Sequence, residues 1–198
     1  MNIGLTGGIA TGKSTVSSML TRKGALLVDA DVIAREVMLP GHPVLAEVAA
    51  YFGQDIIQAD GQLDRKKLGE IIFHDEKKRQ ALNEITHPAI RREIRKQMMD
   101  YEAAYPDRLV VVDIPLLYES ELQSLFEKII VVYVPREIQL HRLMERDNIT
   151  KERAEARLNS QMDIEQKKQL ADEVIDNSGT LEKTSDQVDE LWKRLFRS

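Results

Sequence analysis

Residues 7–14 read GGIATGKS, and no other stretch restricts the fold of this chain so tightly. The octet fits G-x-x-x-x-G-K-S/T through Gly7, Gly12, Lys13 and Ser14. A phosphate chain is best held by several backbone N–H groups converging on one concavity, and glycine both permits that backbone and clears side chains from it. A helix that begins at the loop adds unpaired N–H groups and the positive end of its dipole. The sequence supplies that context: NIGLT (Asn2 to Thr6) reads as a short buried strand and Lys13 to Arg22 as a helix. In such a loop the lysine reaches the β and γ phosphates and the serine hydroxyl ligates Mg²⁺. The bland alternative is a glycine-rich turn that merely joins strand to helix; placement after a strand, before a helix and at the first β–α junction weighs against it. A purine triphosphate with Mg²⁺ is the expected ligand.

More unalternating apolar runs follow: ALLVDAD (residues 25–31), RLVVVDI (108–114), KIIVVYV (128–134) and the shorter DEVIDN (172–177). Strands without polar alternation are buried on both faces, as parallel strands are, and helical segments separate them. The expected fold is therefore α/β, doubly wound, with five parallel strands. The stretch 39–105 contains no convincing strand. PGHP (40–43) marks a turn, and helical patterns cover 63–73, 76–84 and 90–105, the last starting near THP because proline suits a first helical turn. A second polar helical stretch, 136–168, carries Arg142, Arg146, Arg153 and Arg157. This divides the chain into a nucleotide-binding core (1–38, 106–135 and 169–198), a helical substrate domain (39–105) and a lid (136–168).

Composition narrows the partners. A chain of 198 residues is one domain with room for insertions, and 42% hydrophobic residues is ordinary for a globular protein. The net charge of −5 lacks the basic footprint of a nucleic-acid binder. No apolar run reaches the length of a membrane span and no signal-peptide pattern opens the chain. The absence of cysteine removes disulfides and thiolate metal sites, and suits a reducing compartment. The expectation is a cytoplasmic protein without nucleic-acid or membrane partners, monomeric or weakly self-associating. The histidines at 42, 74, 87 and 141 show no metal-ligand spacing. Trp192, with Leu191 and Leu195, reads as the packed face of a C-terminal helix.

Two carboxylates, Asp29 and Asp31, close the second strand at a same-face spacing, where open α/β sheets bind ligands. One can accept the proton of an attacking hydroxyl, and Asp31, further toward the crevice, is the candidate base. Either can instead cap the next helix. Arg142 and Arg146 sit four apart, so one helix face can present both to a transferring phosphoryl group. The bland reading is a solvated helix with Glu145 as the compensating charge. Asp113 ends the third apolar strand as a Walker-B aspartate does.

The ordered set LTGGIATGKSTV, VDADVIAREV, LNEITHPAIR, DIPLLYE, QLHRLMERD, RLNSQM and ADEVIDNSG resembles the signatures of the dephospho-coenzyme A kinase family over nearly the whole chain. The resemblance implies a P-loop NTPase-type α/β/α core and ATP-dependent phosphorylation of the ribose 3′-hydroxyl of dephospho-CoA. It implies ATP contacts at Gly8, Ile9, Ala10, Thr11, Gly12, Lys13, Ser14, Thr15, Arg142, Asn177 and Gly179, and substrate contacts at Asp29, Asp31, Arg35, His87, Arg91, Leu117 and Glu119. Lys13, Asp31, Arg142 and Arg146 would be catalytic, and Ser14 the metal ligand. His87 and Arg91 share a helix face, although a helix-start histidine also serves as a backbone cap. Leu116 reads as core, and Asn177-Ser178-Gly179 by itself spells a turn. Rival readings are a kinase of another small acceptor, such as a nucleoside monophosphate, and a non-catalytic nucleotide switch; the missing N-K-x-D motif weighs against the latter.

Overall fold

The computed structural model describes residues 1–73 and 75–196, so the reading of His74 lies outside the described residues. Two compact units emerge: Met1–Val28 with Met98–Ser198, and Asp29–Gln97.

The first unit is built on a five-stranded sheet in the order β2-β3-β1-β4-β5, with β1 Asn2–Gly7, β2 Leu26–Asp29, β3 Val110–Asp113, β4 Lys128–Tyr133 and β5 Glu173–Asp176. β1 pairs in parallel with β3 and β4, and β4 with β5. The architecture is the α/β fold expected from the apolar runs. Val110, Val111 and Val112 are at most 1% exposed, which is why β3 shows no polar alternation. Helix α1 (Lys13–Arg22) and the C-terminal helix α9 (Leu181–Leu195) cover one face. Their Val16, Leu20, Val188, Leu191 and Leu195 pack on Ile3, Leu5, Val111, Ile130 and Val132, and Trp192 lies against the same cluster. Because β1 is central, with β2 and β3 on one side and β4 and β5 on the other, the loop after β1 opens at the reversal of strand order, where such sheets bind ligands.

The polar stretch 136–168 folds as three helices: α6 Arg136–Asp147, α7 Lys151–Asn159 and α8 Ile164–Leu170. Leu143, Ala154 and Leu158 bury α6 against α7, and Ile9 and Ala10 of the glycine loop pack on them. All three helices belong to the first unit.

The second unit contains α2 (Ala30–Glu36), α3 (Pro43–Phe52), α4 (Arg65–Phe73) and most of α5 (Glu76–Ala104). PGHP is a turn that becomes a helix start: Pro43 opens α3 and His42 Nδ1 accepts the Val44 N–H at 3.2 Å. Among the described residues, 39–105 contain no strand, only an isolated bridge between Ile57 and Leu63. Two expectations need correction here. The segments 76–84 and 90–105 are one helix, and Pro88 sits inside it rather than at a start. The start is set by Asp75, whose carboxylate accepts the Lys78 N–H at 3.1 Å. Pro88 then leaves the Glu84 carbonyl without its helical donor, at an exposed part of the helix.

One buried group of the first unit is unsatisfied. Tyr118 is 7% exposed and its hydroxyl has no hydrogen-bond partner among the described residues. Burial first, and the Asp172 carboxylate second, push its pKa up to about 12. An orphaned hydroxyl contributes a desolvation cost and no bond, so Tyr118→Phe is expected to hold the unfolding free energy or raise it by up to about 1 kcal/mol. Urea denaturation reads this directly, and a clear loss of stability would show that the hydroxyl is bonded.

Candidate active site

The loop after β1 wraps a concavity of about 650 Å³ within the first unit, lined by residues of the loop together with Pro115, Arg142, Arg146, Gln161, Asn177, Gly179 and Leu181. Of the loop positions assigned to ATP, Gly8, Ile9, Ala10, Gly12, Lys13, Ser14 and Thr15 line it. Thr11 does not: it is fully buried, and its hydroxyl and amide both donate to the Gly8 carbonyl, at 3.0 and 3.3 Å. Gly12 is in the left-handed region at φ 80, and a Cβ there would collide with the Asn177 side-chain amide. Both facts demand glycine. Ala10 takes a similar angle, φ 61, with a Cβ, a conformation that costs energy and persists only where surroundings impose it.

Those surroundings are side-chain donors that hold the loop's carbonyls outward. The Gln139 amide donates to the Ile9 carbonyl at 2.8 Å, and the Asn177 amide to the Thr11 carbonyl at 2.8 Å. Asn177 is fixed in turn, its side-chain oxygen accepting the Thr184 hydroxyl at 2.8 Å. The Lys167 ammonium donates to the Gly7 carbonyl at 3.1 Å. These bonds occupy the loop's carbonyls, and the first amides of α1, at Lys13 and Ser14, have no intrahelical acceptor. Two loop amides are engaged within the protein, that of Thr11 by the Gly8 carbonyl as above and that of Ile9 by Gln161 Oε1 at 3.0 Å.

Lys13 forms an ion pair with Asp113, the two side chains being 18% and 10% exposed. The Walker-B-like position of Asp113 is thus beside the loop lysine. Ser14 lines the concavity with a hard oxygen donor, which suits Mg²⁺, and no cluster of three or more metal-binding side chains occurs among the described residues.

Arg142 and Arg146, on α6, both line the concavity. Arg142 donates to the Asn177 carbonyl at 2.9 Å. Arg146 is paired with Asp147 at 2.7 Å, and Arg157 reaches the same carboxylate. The Arg146 hydrogen bond, then the charges of Arg146 and Arg157, hold the Asp147 carboxyl below its usual pKa. The compensating charge on α6 is therefore Asp147 and not Glu145, whose partner is His141 at 3.4 Å. Gly179 lines the concavity, and the Asn-Ser-Gly turn does more than reverse the chain, since its asparagine braces the loop.

The segment after β3 also corrects the sequence reading. Leu116 is 41% exposed rather than core, while Leu117 is fully buried. Leu117 lies so close to β1 that a Cβ on Gly4 would come within 2.7 Å of it. Glu119 accepts the Met162 amide at 2.9 Å and pairs with Lys167 at 2.9 Å.

In the second unit, Asp29 and Asp31 are not two residues of one strand. β2 ends at Asp29, whose carboxylate caps α2 by accepting the amides of Asp31 and Val32 at 2.8 and 3.1 Å. Asp31 is exposed in the first turn of α2, and Arg35 is exposed in its last. The cap reverses the chain before a second strand residue can follow. His87 and Arg91 are one turn apart on α5, both half-buried. Burial first, and the Arg91 charge second, lower the His87 pKa from its ordinary value, which favours the neutral ring.

Gln139, Gln161, Lys167 and Thr184 were not singled out from the sequence, although Gln139 and Gln161 lie inside QLHRLMERD and RLNSQM.

Comparison with known proteins gives the family. A family model described as Dephospho-CoA kinase matches residues 1–183. A protein of that name from Listeria monocytogenes is 52% identical over 196 residues, covering 99% of this chain and 98% of the relative. Another, from Carboxydothermus hydrogenoformans, is 50% identical over 186 residues, covering 94% and 90%. The solved dephospho-CoA kinase of Campylobacter jejuni superimposes with a TM-score of 0.77 at 32% identity, over 99% of this chain and 97% of that one. A phosphate-cradling loop in an α/β core, matched in sequence and structure from end to end, identifies this chain as a member of the dephospho-CoA kinase family.

Proposed function

We propose that the protein transfers the γ-phosphoryl group of ATP to the ribose 3′-hydroxyl of dephospho-CoA, giving coenzyme A and ADP, the last step of coenzyme A synthesis. One observation carries the reading beyond family membership: the concavity combines the glycine loop and the start of α1 with Lys13, Arg142 and Arg146, a set suited to a polyphosphate whose terminal group takes on charge during transfer. The 3′-oxygen attacks the γ-phosphorus in line, the bond to the β–γ bridging oxygen breaks, and ADP leaves. The hydroxyl proton passes to the Asp31 carboxylate. Lys13 and the two arginines offset charge on the phosphoryl oxygens, and the loop amides orient the β phosphate. The Ser14 hydroxyl would hold Mg²⁺, which would supply charge neutralisation on the phosphates.

Asp29, Arg35, His87, Arg91 and Glu119 are assigned to the acceptor side, while Leu117, which has no exposed surface, serves it only as packing. For Asp29 and Glu119 that role is shared with the cap and the ion pair described above. The core, the acceptor domain at 39–105 and the lid at 136–168 are assigned the work of holding ATP, holding dephospho-CoA and covering the phosphoryl group. The protein is assigned to the cytoplasm, a reading supported by the cysteine-free composition, and to a monomeric or weakly homo-oligomeric state. Among the described residues no helix is long and apolar enough to cross a membrane.

A coupled assay with ATP, Mg²⁺ and either dephospho-CoA or a nucleoside monophosphate tests this. ADP is expected to form in step with coenzyme A only when dephospho-CoA is present. Equal or better turnover of the nucleoside monophosphate, or ADP formation indifferent to the acceptor, would refute it.

A further inference from the structure

We propose that Lys167 is a positioning residue for phosphoryl transfer, fixing the entry of the phosphate loop and the segment after β3 as one rigid floor beneath the nucleotide. The proposal rests on the kinase reading above. Lys167, on α8, is fully buried and does not line the concavity, so it acts only through what it holds.

An ammonium taken out of water is costly unless each of its three N–H donors finds an acceptor. Here each does: the Gly7 carbonyl at 3.1 Å, the Pro115 carbonyl at 3.1 Å and Glu119 Oε1 at 2.9 Å. Burial nonetheless lowers its pKa, the Glu119 bond and charge opposing that shift. An apolar residue would fill the space without the desolvation cost, so the cation is informative.

The partners explain what it does. Gly7 is the last residue of β1 and the first of the loop, and Pro115 stands two residues beyond Asp113, the partner of Lys13. Gly7 and Pro115 both line the concavity. Glu119 extends the bracing to the loop's apex. Its carboxylate also accepts the Met162 amide at 2.9 Å, and the neighbouring Gln161 accepts the Ile9 amide at 3.0 Å. One buried cation thus sets the height of the loop's entry directly and of its apex through Glu119, Met162 and Gln161. It also fixes the strand end that carries Asp113. Displacing a reacting group by about 1 Å can cost roughly 100-fold in rate, so such bracing has kinetic weight.

The test uses Lys167→Met, which keeps length and removes charge and donors, beside Lys167→Arg, which keeps both. Thermal unfolding, steady-state kinetics with varied ATP, and calorimetric titration with ATP and Mg²⁺ are run on each. The methionine variant, folded at the assay temperature, is expected to lose about 10- to 100-fold in kcat and to bind ATP about tenfold more weakly. The arginine variant is expected to recover most of both. A purely structural lysine would lower the melting temperature of Lys167→Met and leave ATP affinity and kcat of the folded protein near the parent's, which would overturn the proposal. Folded arginine and methionine variants that are equally impaired would overturn it too. If Lys167→Met does not fold, Lys167→Gln, with an amide for two of the three acceptors, takes its place under the same expectations; failure of both to fold assigns Lys167 a structural role alone. If the parent shows no turnover with dephospho-CoA, the proposed function fails, while the ATP titrations still decide the role of Lys167.

Discussion

Asp31→Asn is expected to bind ATP as the parent does and to lose about 10²- to 10⁴-fold in kcat, the range supplied by a positioned general base. The carboxamide matches the carboxylate in shape but does not take up the proton of the attacking hydroxyl. The fold has little stake in this side chain. Asp31 is exposed, and its contribution to the start of α2 is its backbone amide, which donates to Asp29 and survives the substitution. Asp29→Asn is the matched control for folding, ATP binding and kcat, because asparagine caps helices about as well as aspartate, while its acceptor-side role is read in KM for dephospho-CoA. ATP titration and unfolding curves should superimpose for parent and both variants, with the kinetic loss concentrated in Asp31→Asn. Near-parental turnover of Asp31→Asn would remove it from the role of base and direct attention to Asp29.

Lys13→Met is expected to lower kcat by about 10²- to 10³-fold, the typical effect of deleting one group aimed at developing charge. Here the structure adds a second effect. Lys13 pairs with a largely buried Asp113, so the substitution removes a partner from a carboxylate shielded from water, at a cost of about 1–3 kcal/mol. A double variant separates the two. Lys13→Met combined with Asp113→Asn replaces the ion pair by neutral groups and is expected to recover most of the lost stability without recovering activity. Recovery of activity along with stability would mean that the lysine serves the fold and not the phosphoryl group.

The sequence displayed the sheet and the loop because both leave marks in residue type. Unalternating valine and isoleucine runs declare strands covered on both sides, and the glycine–lysine–serine spacing declares an anion cradle. What escaped was whatever depends on a single polar residue turning inward. In the polar stretches that form α6 and α8, Gln139 and Lys167 are indistinguishable from solvated neighbours such as Glu145 and Lys168. Only the packed structure reveals that they face the carbonyls of Ile9 and Gly7. The misread boundaries have the same origin in local rules that had competitors. Pro88 suggested a helix start, yet the cap is Asp75, thirteen residues earlier by chain order, and the helix tolerates the proline in its middle. Asp29 and Asp31 suggested a strand pair, but a capping aspartate ends the strand it belongs to.

The outward bonding of the loop's carbonyls bears on how portable the octet is. Its shape is imposed by Gln139, Gln161, Lys167 and Asn177, which are more than 120 positions away along the chain. GGIATGKS grafted between a strand and a helix of an unrelated scaffold would carry the letters of the motif without its braces. Such a chimera should hold nucleotide poorly until matching donors are installed on the host.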